Sequence, residues 1–364
     1  ARFRLLLSLH RWSSLFSGGF ALVVCVTGLP LIFATDIDVW RHAPETATYA
    51  QPATLAGMAD VARARHPGAQ IRYAGQADSQ HWFISARDAT GPWHRLMFRH
   101  PSGHLVMDHA SGTGLMATLL ALHARLLAGP NGQLLLAAVA SVLGVALVTG
   151  LLVHAPFVPR AGPLAARGRG SARLRWLDRH NLVGMLLVTW MLVLTVTGGL
   201  LALAGPIQSH WRATAFAHLL ATTDTAPARA SRIDLDAVTA AARQRYPQAT
   251  VDFIALPGSR YATSNGYVVY LAGGPGPLTL ARHAVWVDAG TATHTQGLPL
   301  GLLMSLLMSI KPLHFGDFGG LALKCVWALL DLTMMVVIAT GLWLWLQRVS
   351  PRLSSRRAAL RAGH

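Results

Sequence analysis

The chain has little charge and almost no cysteine. Only 13% of its 364 residues are Asp, Glu, Lys or Arg, whereas 52% are hydrophobic, which argues against an ordinary soluble protein and is typical of a membrane protein. Its two cysteines, Cys25 and Cys325, both lie in apolar runs. With no disulfide framework and no CxxCH sequence, a cystine scaffold and covalent haem attachment are both excluded.

Several motifs of soluble enzymes are also missing. The sequence contains no P-loop, no GxGxxG followed by a ribose-binding acid and no GxSxG. Phosphate chemistry, nicotinamide binding and serine hydrolysis therefore have no support.

Acidic residues are scarce as well, with 15 Asp and Glu against 31 Lys and Arg and a net charge of +16. The arginines cluster at the ends of four apolar runs, roughly 14–34, 133–155, 182–205 and 320–347. Each run is long enough to span a bilayer, which takes about 20 residues. The basic clusters all fall on one side of a four-span arrangement, which the positive-inside rule makes cytoplasmic. We therefore interpret the charge as topology and lipid contact, not as a nucleic-acid site.

Histidines recur at matching places in the two halves of the chain. Each histidine is followed by a Thr-Gly pair inside an apolar run. The distance from histidine to Thr-Gly is the same in both copies, and the two copies are offset by 191 residues for one pair of histidines and by 170 for the other. The matched sets are His10 with Thr27-Gly28, His180 with Thr197-Gly198, Leu122-His123 with Thr149-Gly150, and Leu313-His314 with Thr340-Gly341. We interpret the chain as a duplicated two-span unit with two metal centres, one toward each face of the membrane.

The long connections between spans also repeat each other. In each, an Ala-rich stretch precedes a proline, at 67 and at 247, and segments of alternating polarity follow. These patterns predict a helix that ends before the proline and then a small antiparallel sheet. Amphipathic stretches at 113–127 and 298–311 predict helices along the outer interface, and Pro312 predicts a break before His314.

The predicted fold is therefore a mainly α membrane protein with two small α+β periplasmic domains and interfacial helices. Both termini are expected in the cytoplasm of a bacterial cell, with the domains outside the inner membrane. The predicted boundaries are 1–35 for the first span, 36–112 for the first periplasmic domain, 113–157 for an interfacial helix and the second span, 158–178 for a basic cytoplasmic loop, 179–206 for the third span, 207–296 for the second periplasmic domain, 297–349 for an interfacial helix and the fourth span, and 350–364 for a basic cytoplasmic tail.

Over nearly its whole length the chain resembles the PepSY-associated transmembrane proteins. The resemblance rests on Leu9-His10-Arg11-Trp12, on Leu122-His123, on the run from Leu313-His314 to Gly320, on the recurrent Thr-Gly pairs and on the PepSY-like outer repeats. Within that family it is most similar to inner-membrane siderophore reductases. The resemblance implies two b haems, reduction of a ferric siderophore of the hydroxamate type, and an electron donor that is either quinol or a cytoplasmic reductase.

Haem b without covalent attachment is commonly held by axial histidines. The internal repeat pairs His10 with His180 as ligands of the haem near the inner face of the membrane, and His123 with His314 as ligands of the haem near the outer face. His154 has no symmetry mate, because Trp345 takes the matching position, and it stays open as an alternative inner ligand or as an interfacial residue. The Thr-Gly pairs allow close approach of helices or of a macrocycle, and each threonine can bond back to its own helix.

Further polar residues leave other readings open. Asp331 is the only carboxylate inside a span, and a proton relay, a quinone site or a structural hydrogen bond would each account for it. Arg125 and Lys311 lie near the outer histidines, where they can pair with haem propionates or reach the interface. A small transporter and a non-enzymatic scaffold with partner-binding outer domains remain the alternatives to the reductase.

Overall fold

The helices and strands are described from a computed structural model, in which residues 1–41, 54–78, 80–154, 171–222, 234–273 and 281–362 are described. Most of the basic loop predicted for 158–178 lies outside these residues. In chain order the elements are α1 Arg2–Ile32, α2 Ala34–Arg41, α3 Leu55–Arg65, β1 Gln70–Gln76, β2 His81–Arg87, β3 Trp93–Arg99, β4 His104–Ser111, α4 Gly114–Arg125, α5 Gly129–His154, α6 Ala172–Ala202, α7 Ala204–Thr222, α8 Leu235–Arg245, β5 Ala249–Ala255, β6 Gly266–Gly273, β7 Arg282–Asp288, β8 Thr295–Leu298, α9 Gly301–Phe315 and α10 Gly320–Ala362.

Four helices are long and apolar enough to cross a membrane, which confirms the four predicted spans. They are α1, α5, α6 and the Gly320–Gln347 part of α10. Two of them extend well past their apolar runs, since α1 begins at Arg2 and α6 begins at Ala172. The start of α6 is capped by Ser171, whose side chain accepts a hydrogen bond from the Leu174 N–H. These helices indicate a multi-pass membrane protein.

The chain divides into two compact units. The first contains the spans, as residues Ala1–Ile32, Leu119–Leu203 and Lys324–His364. Its helices pack around a core drawn from all four spans, with Cys25 of α1, Leu187 and Met191 of α6 and Val337 of α10 at its centre and Leu143 of α5 against it. This core is what fixes the mutual positions of the four helices.

The second unit is built on one antiparallel sheet with the strand order β4-β3-β2-β1-β5-β6-β7-β8. The sequence predicted a separate small sheet in each outer segment. The structure instead joins the two strand sets through β1 and β5, with Ala74 opposite Ile254. A sheet edge presents unpaired backbone groups, and pairing the two edges satisfies them.

Helices α3 and α8 pack on one face of this sheet. Both end where predicted, at Arg65 and Arg245, just before the segments that contain the prolines at 67 and 247. Beneath them lies an apolar core that takes alternate residues from the strands, including Ile84, Leu96, Phe98, Ile254, Val269 and Val285. The alternation leaves the intervening side chains of each strand on the opposite face.

Short helices, α4 and α9, precede the second and fourth spans. The turn after α4 passes through Leu126 and Leu127, both with positive φ. The expectation that Pro312 breaks the second of these helices before His314 is wrong. Helix α9 continues through Pro312 to Phe315 and ends at Gly316, whose φ of 67° is readily adopted only by glycine.

The carboxylate of Asp108 on β4 is bound by two side chains, one from the last residue of α3 and one from the residue that caps this helix. Arg65 donates through Nε to Asp108, and His66 Nε2 lies 2.9 Å from the second oxygen of that carboxylate, which is only 11% exposed. Burial acts to raise the pKa of the Asp108 carboxyl. The hydrogen bonds and positive charges of Arg65 and His66 outweigh that effect, so its pKa lies below the ordinary value.

We predict that Asp108→Asn lowers the free energy of unfolding near neutral pH by about 1–3 kcal/mol, because buried donors lose a charged acceptor. A carboxyl with a depressed pKa in the folded state stabilises above its unfolded pKa, and that stabilisation is lost as pH falls through the folded pKa. Urea titration of the solubilised protein, followed by tryptophan fluorescence, checks this. The difference between variant and parent should shrink in acid.

A matched control is Asp60→Asn, since Asp60 also bonds an arginine of α3 but its side chain is 73% exposed. It should have little effect at any pH. An Asp108→Asn difference that is as large in acid as at neutral pH would contradict the assigned ion pairs.

Candidate functional site

His10 on α1 packs directly against α5. Its Nδ1 lies 2.8 Å from the carbonyl oxygen of Ala146, and its ring lies over Gly150. A Cβ added at Gly150 would lie 2.9 Å from His10 Cε1, closer than such contacts tolerate. The absence of a side chain at Gly150 is therefore what lets the ring reach the backbone of the neighbouring helix.

His123 and His180 repeat this arrangement on other helix pairs. His123 of α4 has its Nδ1 2.9 Å from Val24 O, and a Cβ at Gly28 would lie 2.9 Å from its ring. His180 of α6 has its Nδ1 3.1 Å from the carbonyl oxygen of Val337, with the corresponding Cβ at Gly341 3.1 Å away. In all three cases the ring lies on the glycine of a Thr-Gly pair and the accepting carbonyl lies four residues earlier.

The threonine of each pair bonds back to its own helix, as the sequence predicted. Thr27, Thr149, Thr197 and Thr340 donate to the carbonyls four residues earlier at 2.7, 2.6, 2.7 and 2.8 Å. Thr27 and Thr340 also place their hydroxyl oxygens 3.3 and 3.2 Å from the Nδ1 of His123 and His180. A Thr-Gly pair therefore supplies both the space and the polar contacts for an imidazole.

This geometry sets the tautomer of each ring. A carbonyl oxygen only accepts, so Nδ1 must carry the proton that it donates. A neutral ring then has its lone pair on Nε2, the atom with which it can ligate a metal. Metal-binding histidines typically donate their other N–H to a carbonyl or carboxylate in this way, so the donor set fits axial ligation of haem iron.

Both histidines predicted for the inner pair lie in the span unit. His10 packs on α5, and His180 packs on α10. His154 is the last residue of α5 and, within the described parts of the chain, makes no hydrogen bond of the kind that orients the other rings. The pairing of His10 with His180, with His154 as the alternative ligand, therefore stays a prediction.

The outer pair is divided between the two compact units. His123 lies in the span unit, whereas His314 lies near the end of α9 in the sheet unit. The ring of His314 makes an edge contact with Phe315, at a centroid distance of 5.8 Å. Their pairing therefore remains a prediction from the repeat.

The histidines of the first outer segment do not converge on one site. His81 bonds Asp78 at 3.0 Å, and His94 bonds Asp88 at 3.0 Å. Within the described ranges, no group of three or more His, Cys, Asp or Glu side chains is arranged to hold a metal ion. A bis-histidine site needs only two protein ligands, so this finding does not bear on haem.

Asp331 lies in the core of the span unit and is 7% exposed. The Cys25 thiol of α1 interacts with it across the helix contact. Its Oδ2 atom is buried and has no hydrogen-bond partner among the described residues. A proton relay, a quinone site and a structural hydrogen bond therefore all stay predictions for Asp331.

Sequence reasoning missed which helix receives each histidine. The accepting carbonyls belong to Ala146, Val24 and Val337, whose apolar side chains carry no signal of this role. The one available signal was the glycine four residues later in each case. It marked the place where a ring could approach, but not which ring.

Comparison with known proteins places these features in a family. The family described as the PepSY-associated TM region matches residues 7–348. An uncharacterised protein of Pseudomonas aeruginosa is 28% identical over 255 residues, which is 63% of this chain and 63% of that protein. The aligned region thus spans less than two thirds of the relative, and its description assigns no activity.

We predict that Gly28→Ala and Gly150→Ala destabilise the span unit, because each new methyl group would collide with an imidazole ring. The thermal midpoint of the detergent-solubilised protein should fall, by an amount that corresponds to about 1–3 kcal/mol for overpacking. Static light scattering during heating measures it without any cofactor.

Gly19→Ala on α1 and Gly144→Ala on α5 are the matched controls, since a Cβ at either position meets nothing within 4 Å. Alanine is the better helix former by about 1 kcal/mol, so these variants should be neutral or slightly more stable. If all four variants behaved alike, the close approach of the rings would be wrong.

Proposed function

The chain belongs to the family of PepSY-associated transmembrane regions, and from its histidine geometry we propose that it is a di-haem b oxidoreductase. In this proposal it carries electrons across the bacterial inner membrane and reduces a ferric siderophore on the periplasmic side, which releases Fe(II). The reductant is quinol or a cytoplasmic reductase, and each ferric ion takes up one electron.

The proposal includes a topology. The two-span unit is duplicated, both termini and the basic segments are cytoplasmic, and the sheet unit is periplasmic with α4 and α9 along the outer interface. The arginine-rich segments and four apolar helices support this arrangement through the positive-inside rule.

The observation that carries the proposal is the recurrence of one imidazole arrangement on three helix pairs. Packing alone does not require that Nδ1 face a carbonyl each time. Polar side chains within membrane spans are costly and tend to be functional. Three rings that direct Nδ1 to a carbonyl and keep Nε2 free for a metal support axial ligation of b haem.

In the proposed inner site, His10 and His180 hold one haem, and His154 remains the alternative ligand. In the proposed outer site, His123 and His314 hold the other, with Arg125 and Lys311 near the outer histidines as candidate partners for propionates. Bound haem b would supply one-electron redox chemistry. The chain contributes ring orientation through Ala146, Val24 and Val337 and burial among apolar helices, both of which tune the potential.

A small transporter is the second candidate, and the buried Asp331 favours it. Transporters place ionisable groups inside the membrane near the interface between repeats. Haem content separates the two, since a transporter needs none. A PepSY-domain scaffold would show neither haem nor uptake of a labelled chelate into proteoliposomes.

The first test is the visible spectrum of the purified protein, oxidised and dithionite-reduced, with a pyridine haemochrome count. We predict sharp b-type bands and two haems per chain. Protein made in haem-replete cells that carried no haem would rule out the di-haem mechanism and leave the transporter or scaffold.

Histidine variants then assign each site. His10→Ala and His180→Ala should each remove one haem and leave the other, because loss of one axial ligand opens the inner site. His123→Ala and His314→Ala should remove the second haem in the same manner. His154→Ala is the matched control and should retain both. Loss of a haem from His154→Ala, with retention in His180→Ala, would reassign the inner ligand.

A further inference from the structure

The sheet unit has a second face, which helices α3 and α8 do not cover. Ala74 and Leu96 point into the core beneath those helices, so Tyr73 of β1 and Trp93 of β3 lie on the opposite face. Their rings are nearly parallel, with centroids 5.9 Å apart and an interplanar angle of 16°. Both side chains are half-buried, which leaves part of each ring accessible.

The seam between the two strand sets adds a third ring to this surface. Tyr261 follows β5, and its ring lies 6.0 Å from that of Tyr73. Its hydroxyl donates to Gln208 of α7 at 2.6 Å, and the neighbouring Arg260 N–H donates to the Tyr73 hydroxyl at 3.1 Å. Residues from both strand sets and α7 therefore hold these rings in fixed positions.

Arginines border the three rings. The Arg87 guanidinium lies 5.4 Å from the centre of the Trp93 ring, and that of Arg260 lies 5.7 Å from the centre of the Tyr261 ring. Arg212 of α7 acts electrostatically on Tyr261, and its Nε is buried without a hydrogen-bond partner among the described residues. We call this set, Tyr73, Trp93 and Tyr261 with Arg87, Arg212 and Arg260, the arginine-aromatic face.

The three arginines of this face differ from other arginines of the sheet unit. Within the described ranges, none of its three arginines forms an ion pair, whereas Arg63, Arg65 and Arg282 elsewhere in the unit each do. Asp88, the residue after β2, is bonded to His94, and Asp252 of β5 is bonded to Arg282. A buried guanidinium atom without an acceptor is costly unless a ligand supplies one.

We propose that the arginine-aromatic face binds an anionic metal chelate with planar, aromatic ligand groups. Guanidinium groups bind carboxylate or phenolate oxygens through charge-assisted hydrogen bonds, and the rings stack on flat ligands. A cationic chelate would be repelled. The inference builds on the proposed reductase, but it replaces the expected hydroxamate type with an anionic catecholate type of ferric chelate.

The test uses gallium(III) complexes, because gallium binds the same chelators as ferric iron but is not reduced under these conditions. Isothermal titration calorimetry of the full chain in detergent compares a gallium tris-catecholate, which is anionic, with a gallium tris-hydroxamate whose chelator carries a protonated amine and is therefore cationic overall. The catecholate should bind at least about tenfold more tightly, and its affinity should fall with rising salt. Equal affinities, or a preference for the cation, would overturn the proposal.

Variants locate the binding site on the sheet. Arg87→Gln and Arg260→Gln should each weaken catecholate binding by about tenfold, since a charged hydrogen-bond partner is lost. Arg63→Gln is the matched control on α3, at the other face, and should leave binding unchanged. Unchanged thermal midpoints verify that the variants fold. Binding that survives Arg87→Gln and Arg260→Gln would also overturn the assignment.

The outcomes separate this inference from the proposed function. A protein without haem that still binds the gallium catecholate would uphold the face and reject the reductase. A protein with two haems that binds neither complex would uphold the redox centres and reject the face.

Discussion

Three helix contacts in the span unit depend on imidazole rings that lie on glycines of neighbouring helices. Each ring needs a missing side chain and a carbonyl oxygen at the same place, and a Thr-Gly pair provides the glycine while the carbonyl four residues earlier accepts. The ring then adds a polar contact to helices that also pack through an apolar core. In a bilayer, where burying apolar surface gives helices little drive to associate, such close polar packing is a main source of specificity.

The contact between each ring and a backbone carbonyl also determines which ring nitrogen is left to bind a metal. Because Nδ1 donates to the backbone, Nε2 is the atom left with a lone pair, and the helix pair fixes its direction. Helix packing and the orientation of the imidazole rings thus rest on the same contacts at His10, His123 and His180. A change that loosens the helix contact is expected to disturb the candidate metal ligand as well, so readouts of stability and of haem content complement each other.

The sheet unit follows a different logic. Its two strand sets meet at β1 and β5, so a single surface carries side chains from both halves of the chain. One face is covered by α3 and α8, and the other carries the arginine-aromatic face, whose three arginines form no ion pair within the described residues. Pairing of β1 with β5 therefore does more than satisfy the backbone hydrogen-bonding groups at two sheet edges. It assembles a charged aromatic surface that neither half possesses alone.

Apolar runs of span length and paired histidine and Thr-Gly spacings could be read directly from the sequence, because hydrophobicity and repetition are local properties. The ends of α3 and α8 could also be predicted, because a proline restricts the backbone of the residue just before it. The partner of each ring, the joined sheet and the continuous helix through Pro312 were decided by tertiary structure. Which helix faces His10, or which strand pairs with β1, depends on contacts between residues far apart in the chain, and the accepting backbone carbonyls look the same at every residue.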